Sequence, residues 1–187
     1  MKVTAPIVTL LVCGTLAGCT LARDGQVLSS LPSGAVNSDA IKDEVRTIDA
    51  SVDSFRKVET TLVGESAEGG TLTGYVEPTS RALRLIDVVA YGETGQSRSY
   101  FYFDRQGSLV YAKRDVLRYA SGLPTAPPKL DTVTSVSYLF ENGVAFQDRA
   151  DNSTVPITDP LAMQLQADAQ RVLDRLNGLA RSPQSTP

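Results

Sequence analysis

The segment SYFYFDRQGSLV (residues 99–110) has the pattern of a β-hairpin. Aromatic side chains alternate along residues 99–103, Asp104 and Gly107 are typical turn residues, and apolar residues return from Leu109. Residues 135–145 repeat this order as SVSYLFENGVA, with an Asn-Gly pair that favours a tight hairpin turn. Two similar hairpins predict neighbouring pairs of strands in one antiparallel sheet.

Further strands extend this pattern on both sides. Alternating or continuous apolar residues separated by turn signals predict strands near residues 58–62, 72–76, 82–91, 97–103, 109–119, 132–140 and 144–149. A Pro-rich loop follows Tyr119 and contains Pro124, Pro127 and Pro128. We therefore expect an antiparallel sheet of about five to seven strands.

An amphipathic helix is predicted at each end of this strand region. Residues 38–55 place Ile41, Val45, Ile48, Val52 and Phe55 on one helical face, with Asn37 or Ser38 as the N-cap. The second helix follows Asp159 and Pro160, residues that favour a helix start. The expected fold is α+β: one domain over residues 38–181, with both helices packed on one face of the sheet, and a disordered tail at 182–187.

The composition excludes several kinds of site. The chain of 187 residues contains no His, only two Cys, and carries a net charge of −3. Imidazole triads and zinc sites with His ligands cannot form without His. The net negative charge gives no basic surface for nucleic acid. Ser108 and Lys113 lie on opposite sides of a strand, so they form no catalytic pair. We expect no enzyme activity, no cofactor and no metal.

The first twenty residues form a separate unit. Met1-Lys2 begins the chain, an apolar run follows, and Leu16-Ala17-Gly18-Cys19 ends it. The run is shorter than the roughly 20 apolar residues of a transmembrane helix. This segment resembles the lipobox of bacterial lipoproteins, and the hairpin pattern is similar to that of small envelope lipoproteins, a likeness that implies no activity.

The resemblance implies a location and a modification. Residues 1–18 would be a cleaved signal peptide, and Cys19 would carry lipid, including palmitate-type acyl chains, that holds the protein in a membrane. Thr20, where Asp would favour the inner membrane, implies the periplasmic leaflet of the outer membrane. Residues 19–37 are small and polar, so we expect a flexible tether of roughly 20–25 Å.

The aromatic residues supply the candidate binding surface. Alternation places Tyr100 and Tyr102 on one sheet face and Phe101 and Phe103 on the other. One interpretation is that the Phe pair packs under a helix while the Tyr pair half-covers the outer face. The other is that Tyr100 and Tyr102, with Tyr111 or Tyr119 on the next strand, form a recognition surface for a partner.

The arginines of the strands allow two interpretations as well. Arg81, Arg84, Arg98, Arg114 and Arg118 lie on or beside candidate strands. They can form cross-strand ion pairs with acids such as Asp87, Asp104 and Asp115, or together bind an anionic ligand.

These observations favour a non-enzymatic, membrane-anchored binding or assembly module that faces the periplasm. Its partner would be an envelope protein or a cell-wall component. The alternative is an inhibitor-like module that blocks a cell-wall-degrading enzyme through the loop 123–129.

Overall fold

The computed structural model describes residues 37–62, 68–120, 130–148, 154–156 and 158–181. The predicted signal peptide, Cys19, all of the tether except Asn37, the Pro-rich loop and the C-terminal tail lie outside these residues. The described residues belong to one compact unit.

The sheet is an antiparallel meander in which every strand pairs with its neighbours in the sequence, in the order β1 to β8. Seven strands of five or more residues match the upper end of the predicted number, and a three-residue eighth strand, which the sequence did not indicate, follows them. The strands are β1 (Arg56–Leu62), β2 (Gly70–Val76), β3 (Leu83–Gly92), β4 (Gly95–Phe103), β5 (Leu109–Tyr119), β6 (Leu130–Glu141), β7 (Val144–Asp148) and β8 (Thr154–Pro156).

Both predicted hairpins are present, and their turns explain their sequences. In the β4–β5 turn, Asp104 Oδ1 accepts hydrogen bonds from the backbone N–H groups of Gln106 and Ser108 at 2.9 and 2.8 Å. In the β6–β7 turn, Asn142 and Gly143 adopt φ values of 51° and 78°. These left-handed conformations are those that an Asn-Gly hairpin turn requires.

Helix α1 (Ser38–Ser51) starts as predicted and ends earlier. Asn37 Oδ1 caps it by accepting from the Ala40 N–H at 3.2 Å. A single 3₁₀ turn (Val52–Ser54) follows, and Phe55 is already extended, with φ −79° and ψ 146°. The apolar stripe therefore continues past the α-helix, because the 3₁₀ turn keeps Val52 and Phe55 close to the same apolar cluster.

Helix α2 (Pro160–Arg181) starts where Asp159 and Pro160 predict. Asp159 Oδ1 accepts from the Leu161 N–H at 2.8 Å, and its other oxygen accepts from the Tyr138 hydroxyl at 2.8 Å. The cap thus also fixes the start of the helix to β6. Burial raises the pKa of the Tyr138 hydroxyl to about 12, and the bond to Asp159 adds to that effect.

The helices pack on opposite faces of the sheet, which corrects the expectation that they share one face. Phe101 and Phe103 lie in the core beneath α2. Tyr102, between them in the strand, lies in a second apolar cluster with Ile48 and Phe55 from the α1 segment. Since successive side chains of a strand point to opposite faces, the two clusters lie on opposite sides of β4.

The larger core forms where α2 crosses the sheet. The helix contributes five buried residues to it, Ala162, Leu165, Ala169, Val172 and Leu176. Gly74 of β2 leaves room for the Leu176 side chain, since a Cβ atom there would lie 2.8 Å from Leu176 Cδ1. The described helices include none that is both long enough and apolar enough to cross a membrane.

Candidate functional site

The three candidate tyrosines lie together on the sheet face that carries α1. Tyr102 and Tyr111 are directly paired in β4 and β5, and their rings meet edge to face with centroids 5.6 Å apart. Tyr100 lies two residues from Tyr102 on the same face. The sequence therefore grouped these residues correctly, but the expectation that this face points away from the helices is wrong.

Tyr102 is the buried member of the group. Its residue is 7% exposed, and its hydroxyl donates to Asp49 Oδ1 of α1 at 2.9 Å. Burial and this bond raise the pKa of the hydroxyl well above its usual range. Tyr111 is half-buried, and burial also raises its pKa. Tyr102 therefore holds α1 and is not available to a partner.

The strand register defines what lies beyond α1 on this face. One row across β3 to β6 contains Leu85, Tyr102, Tyr111 and Leu139, and the first three of these contribute to the cluster that holds α1. The next rows are mainly polar, and we call them the polar face. They contain Asp87, Tyr100, Lys113 and Ser137, followed by Val89, Arg98, Asp115 and Ser135.

Arg98 and Asp87 form the central ion pair of the polar face. Arg98 Nε donates to Asp87 Oδ1 at 3.0 Å, and Nη2 donates to Oδ2 at 2.5 Å. This bidentate arrangement is the strongest geometry for such a pair and raises the pKa of Arg98. The guanidinium also lies 5.0 Å from the centre of the Tyr100 ring.

Lys113 approaches the same ring from the next strand. Its Nζ atom lies 6.0 Å from the Tyr100 ring centre and 3.1 Å from Asp115 Oδ2. Tyr100 is thus held by two cations, each at cation–π distance. Burial raises the pKa of its hydroxyl, so Tyr100 remains a neutral hydrogen-bond donor and acceptor at neutral pH.

Asp115 retains unused hydrogen-bonding capacity. Its Oδ1 atom is buried and accepts no hydrogen bond from the described residues. A buried carboxylate oxygen without a donor is costly, so this atom favours a water molecule or a ligand group with an N–H or O–H donor. The polar face therefore presents an aromatic ring, two cations and an unsatisfied carboxylate oxygen with which a partner could form contacts.

Three of the five predicted arginines, Arg84, Arg98 and Arg114, form ion pairs, and one of these pairs, Arg98–Asp87, joins two strands as the first interpretation expected. Arg84 is buried, and its Nη2 atom lies 2.6 Å from Glu44 Oε1 of α1. Its Nε donates to the Phe103 carbonyl at 3.0 Å, and Nη1 lies 3.5 Å from Glu77. Sequence reasoning missed both acidic partners, since they lie outside the strand that carries Arg84.

Arg114 makes the corresponding link on the other face. It donates to Ser99 Oγ and to Asp168 Oδ2 of α2, both at 2.9 Å. The second oxygen of Asp168 accepts from Arg171 at 2.9 Å. A cavity of about 290 Å³ lies beside this ion pair, between α2 and the sheet. Asp168 is thus shared by Arg114 of β5 and Arg171 of α2. The Arg114–Asp168 ion pair attaches α2 to the sheet.

The remaining candidate residues, the search for metal sites and the comparisons with known proteins identify no ligand. Pro124, Pro127 and Pro128 lie outside the described residues, as does Cys19. No group of three Asp, Glu, His or Cys side chains in the described ranges could hold a metal ion. No protein-family model matches the chain, and no significant match is found among curated proteins or among solved structures.

Proposed function

We propose that the chain is a bacterial envelope lipoprotein whose domain is a non-enzymatic binding or assembly module. Residues 1–18 are its signal peptide, Cys19 carries the lipid, and residues 19–37 connect the anchor to the domain. The support for anchoring is the sequence Leu16-Ala17-Gly18-Cys19 at the end of a short apolar run. The absence of Asp after Cys19 favours the periplasmic leaflet of the outer membrane.

The polar face is the proposed binding surface. The observation that carries this assignment is Tyr100, whose ring lies against Arg98 and Lys113 next to an unsatisfied Asp115 oxygen. Aromatic and arginine side chains are enriched where proteins bind partners, and ion pairs fix their positions in advance. The partner is an envelope protein or a cell-wall component that offers hydrogen-bond donors.

The paired charges of the polar face support binding rather than an anion site. The polar face joins two acids to two cations with their charges paired, Arg98 with Asp87 and Lys113 with Asp115. Arg98 and Lys113 are held by carboxylates, so they do not form a free anion site. The inhibitor alternative depends on residues 123–129, which the structure does not describe, so no contact supports it.

The test is affinity capture with the full-length chain as bait. Isolated cell walls and detergent-solubilised envelopes are the two probes, so a wall component is distinguished from a protein. Tyr100→Ser and Asp115→Asn are expected to reduce capture about tenfold, the loss that one good interface contact produces. Val116→Ser is the control, because Val116 is exposed and lies on the other sheet face.

The bait variants must remain folded for this comparison. Their melting temperatures are therefore measured in parallel, and Tyr102 is left unchanged because it is buried. Capture by Tyr100→Ser and Asp115→Asn that equals capture by wild type would place the partner surface elsewhere. Loss of capture by Val116→Ser as well would indicate a general effect on the domain.

A further inference from the structure

Strand β1 is an edge of the sheet in the part of the chain that the structure describes, because β2 is its only neighbour there. An edge strand presents backbone N–H and C=O groups to which another strand can bind. The hydrogen bonds of β2 show which residues of β1 present these groups on the open side.

The hydrogen-bond direction alternates along β2. Gly69 O accepts from the Tyr91 N–H at 2.9 Å, so the odd-numbered residues of β2 bond towards β3. The even-numbered residues then bond towards β1, where Gly70 and Gly74 pair with Leu62 and Val58. The backbone N–H and C=O groups of the even-numbered residues of β1 therefore bond to β2. The backbone groups of residues 57, 59 and 61 point away from the sheet.

The outward groups are already used at both ends of β1. Arg175 of α2 donates to the Thr61 carbonyl at 2.8 Å. The Phe55 N–H donates to the Val52 carbonyl at 3.1 Å. Among the described residues, no hydrogen bond occupies the outward backbone groups of Lys57 or Glu59. The open part of the edge is thus a short window centred on Val58.

We propose that a second copy of this chain binds at this window, with β1 antiparallel to β1 and the two-fold axis at Val58. In this register Lys57 of each copy lies opposite Glu59 of the other. Their outward backbone groups form two closed pairs, which gives four hydrogen bonds. The next pair would join Phe55 to Thr61, and the groups it needs are occupied.

Charge selects this register over its neighbours. A register centred on residue 59 places two Glu59 carboxylates directly opposite each other, and like charges there are destabilising. A register centred on residue 60 places Glu59 opposite Thr61 and Lys57 beyond Leu62, the last residue of the partner's β1. Only the register at Val58 satisfies both charges twice. Lysine on an edge strand normally prevents pairing, but a glutamate two residues away makes this edge self-complementary.

A cysteine scan of the full-length chain in isolated membranes tests the register. Single cysteines replace residues 57, 58, 59 and 60, and mild oxidation is followed by a non-reducing gel. Val58→Cys lies opposite itself at about 4.5 Å between Cα atoms, within the range for a disulfide. We expect dimer there and much less at the other positions. The unmodified chain reveals any disulfide that Cys13 or Cys19 forms.

Charge reversal then tests the partner. In the Val58→Cys chain, Lys57→Glu or Glu59→Lys alone is expected to reduce the dimer about fivefold or more, and both together to restore it. Arg56→Glu is the control for net charge, because residue 56 faces Thr60 in this register. Dimer strongest at 59 or 60, none at 58, a disulfide to a different protein, or no effect of charge reversal would each overturn the proposal.

Discussion

The Tyr102 hydroxyl donates a hydrogen bond to Asp49 Oδ1 at 2.9 Å and thereby joins β4 to α1 across 53 positions of sequence. Tyr138 and Asp159 make the corresponding bond at 2.8 Å on the other side of the sheet, between β6 and the start of α2. Each helix is therefore attached to its own sheet face by a tyrosine–aspartate hydrogen bond, in addition to its apolar stripe and an arginine ion pair.

We expect Tyr102→Phe to destabilise the domain by about 0.5–1.5 kcal/mol, the usual net value of one such hydrogen bond. The ring stays in place, so the loss reports on the hydroxyl alone, and exposed Asp49 can bind water instead. Urea denaturation measures the change. Tyr102→Ser would remove the buried ring as well and cost about 3–5 kcal/mol. Equal stability of Tyr102→Phe and wild type would show that the bond contributes nothing.

The same bond predicts a loss of stability in alkali. The pKa of Tyr102 is raised above the unfolded value of 10.0, so the folded state keeps the proton longer than the unfolded state does. Its contribution is complete below pH 10 and decreases as the pH rises above it. Urea midpoints between pH 8 and pH 11 should fall less steeply in Tyr102→Phe than in wild type.

The sequence predicted the elements of this fold better than their placement. The alternation in residues 99–103 separates Phe101 from Tyr102 correctly, because strand geometry allows no other arrangement. It cannot say which helix covers which side, since both sides of β4 carry aromatic rings and both helices have one apolar stripe. The structure shows that the first helix lies on the tyrosine face, contrary to expectation, and that it buries Tyr102.

The candidate site shows the same limit. The arginines could be identified as members of ion pairs, yet three of their partners, Glu44, Glu77 and Asp168, come from other elements. No local spacing encodes such pairs. The eighth strand was missed for a different reason: it has three residues and ends in Pro156, a residue that normally argues against a strand.

Glu77 predicts an acid-dependent contribution to stability. Hydrogen bonds from Arg105 and Ser80 lower its pKa from 4.5 to about 2. A lowered folded pKa means that the contribution is present above pH 4.5 and is lost as the pH falls towards 2. Glu77→Gln should therefore be less stable than wild type at pH 6 and lose less on acidification to pH 2. Urea midpoints at both pH values measure this, and parallel curves would contradict it.

Cys19→Ser is expected to abolish incorporation of a labelled fatty-acid analogue in living cells. The serine hydroxyl cannot form the thioether on which lipidation of a lipobox depends. Cys13→Ser is the matched control and should be labelled like wild type, because Cys13 lies inside the proposed signal peptide. Equal labelling of Cys19→Ser and wild type would reject the lipoprotein assignment.

Gly74 and Leu176 are expected to be energetically coupled. A methyl group at Gly74 would lie 2.8 Å from Leu176 Cδ1, so Gly74→Ala should cost about 1–3 kcal/mol by overpacking. Leu176→Ala leaves a cavity and should cost about 2–5 kcal/mol. The double variant should cost less than the sum by about 0.5–3 kcal/mol, because the shorter side chain makes room for the methyl group.

Gly92→Ala is the control, since its nearest neighbour would be 3.6 Å away and no clash results. Urea denaturation of the wild type, the two single variants and the double variant gives the coupling free energy. Strict additivity would mean that α2 does not lie against Gly74 in solution.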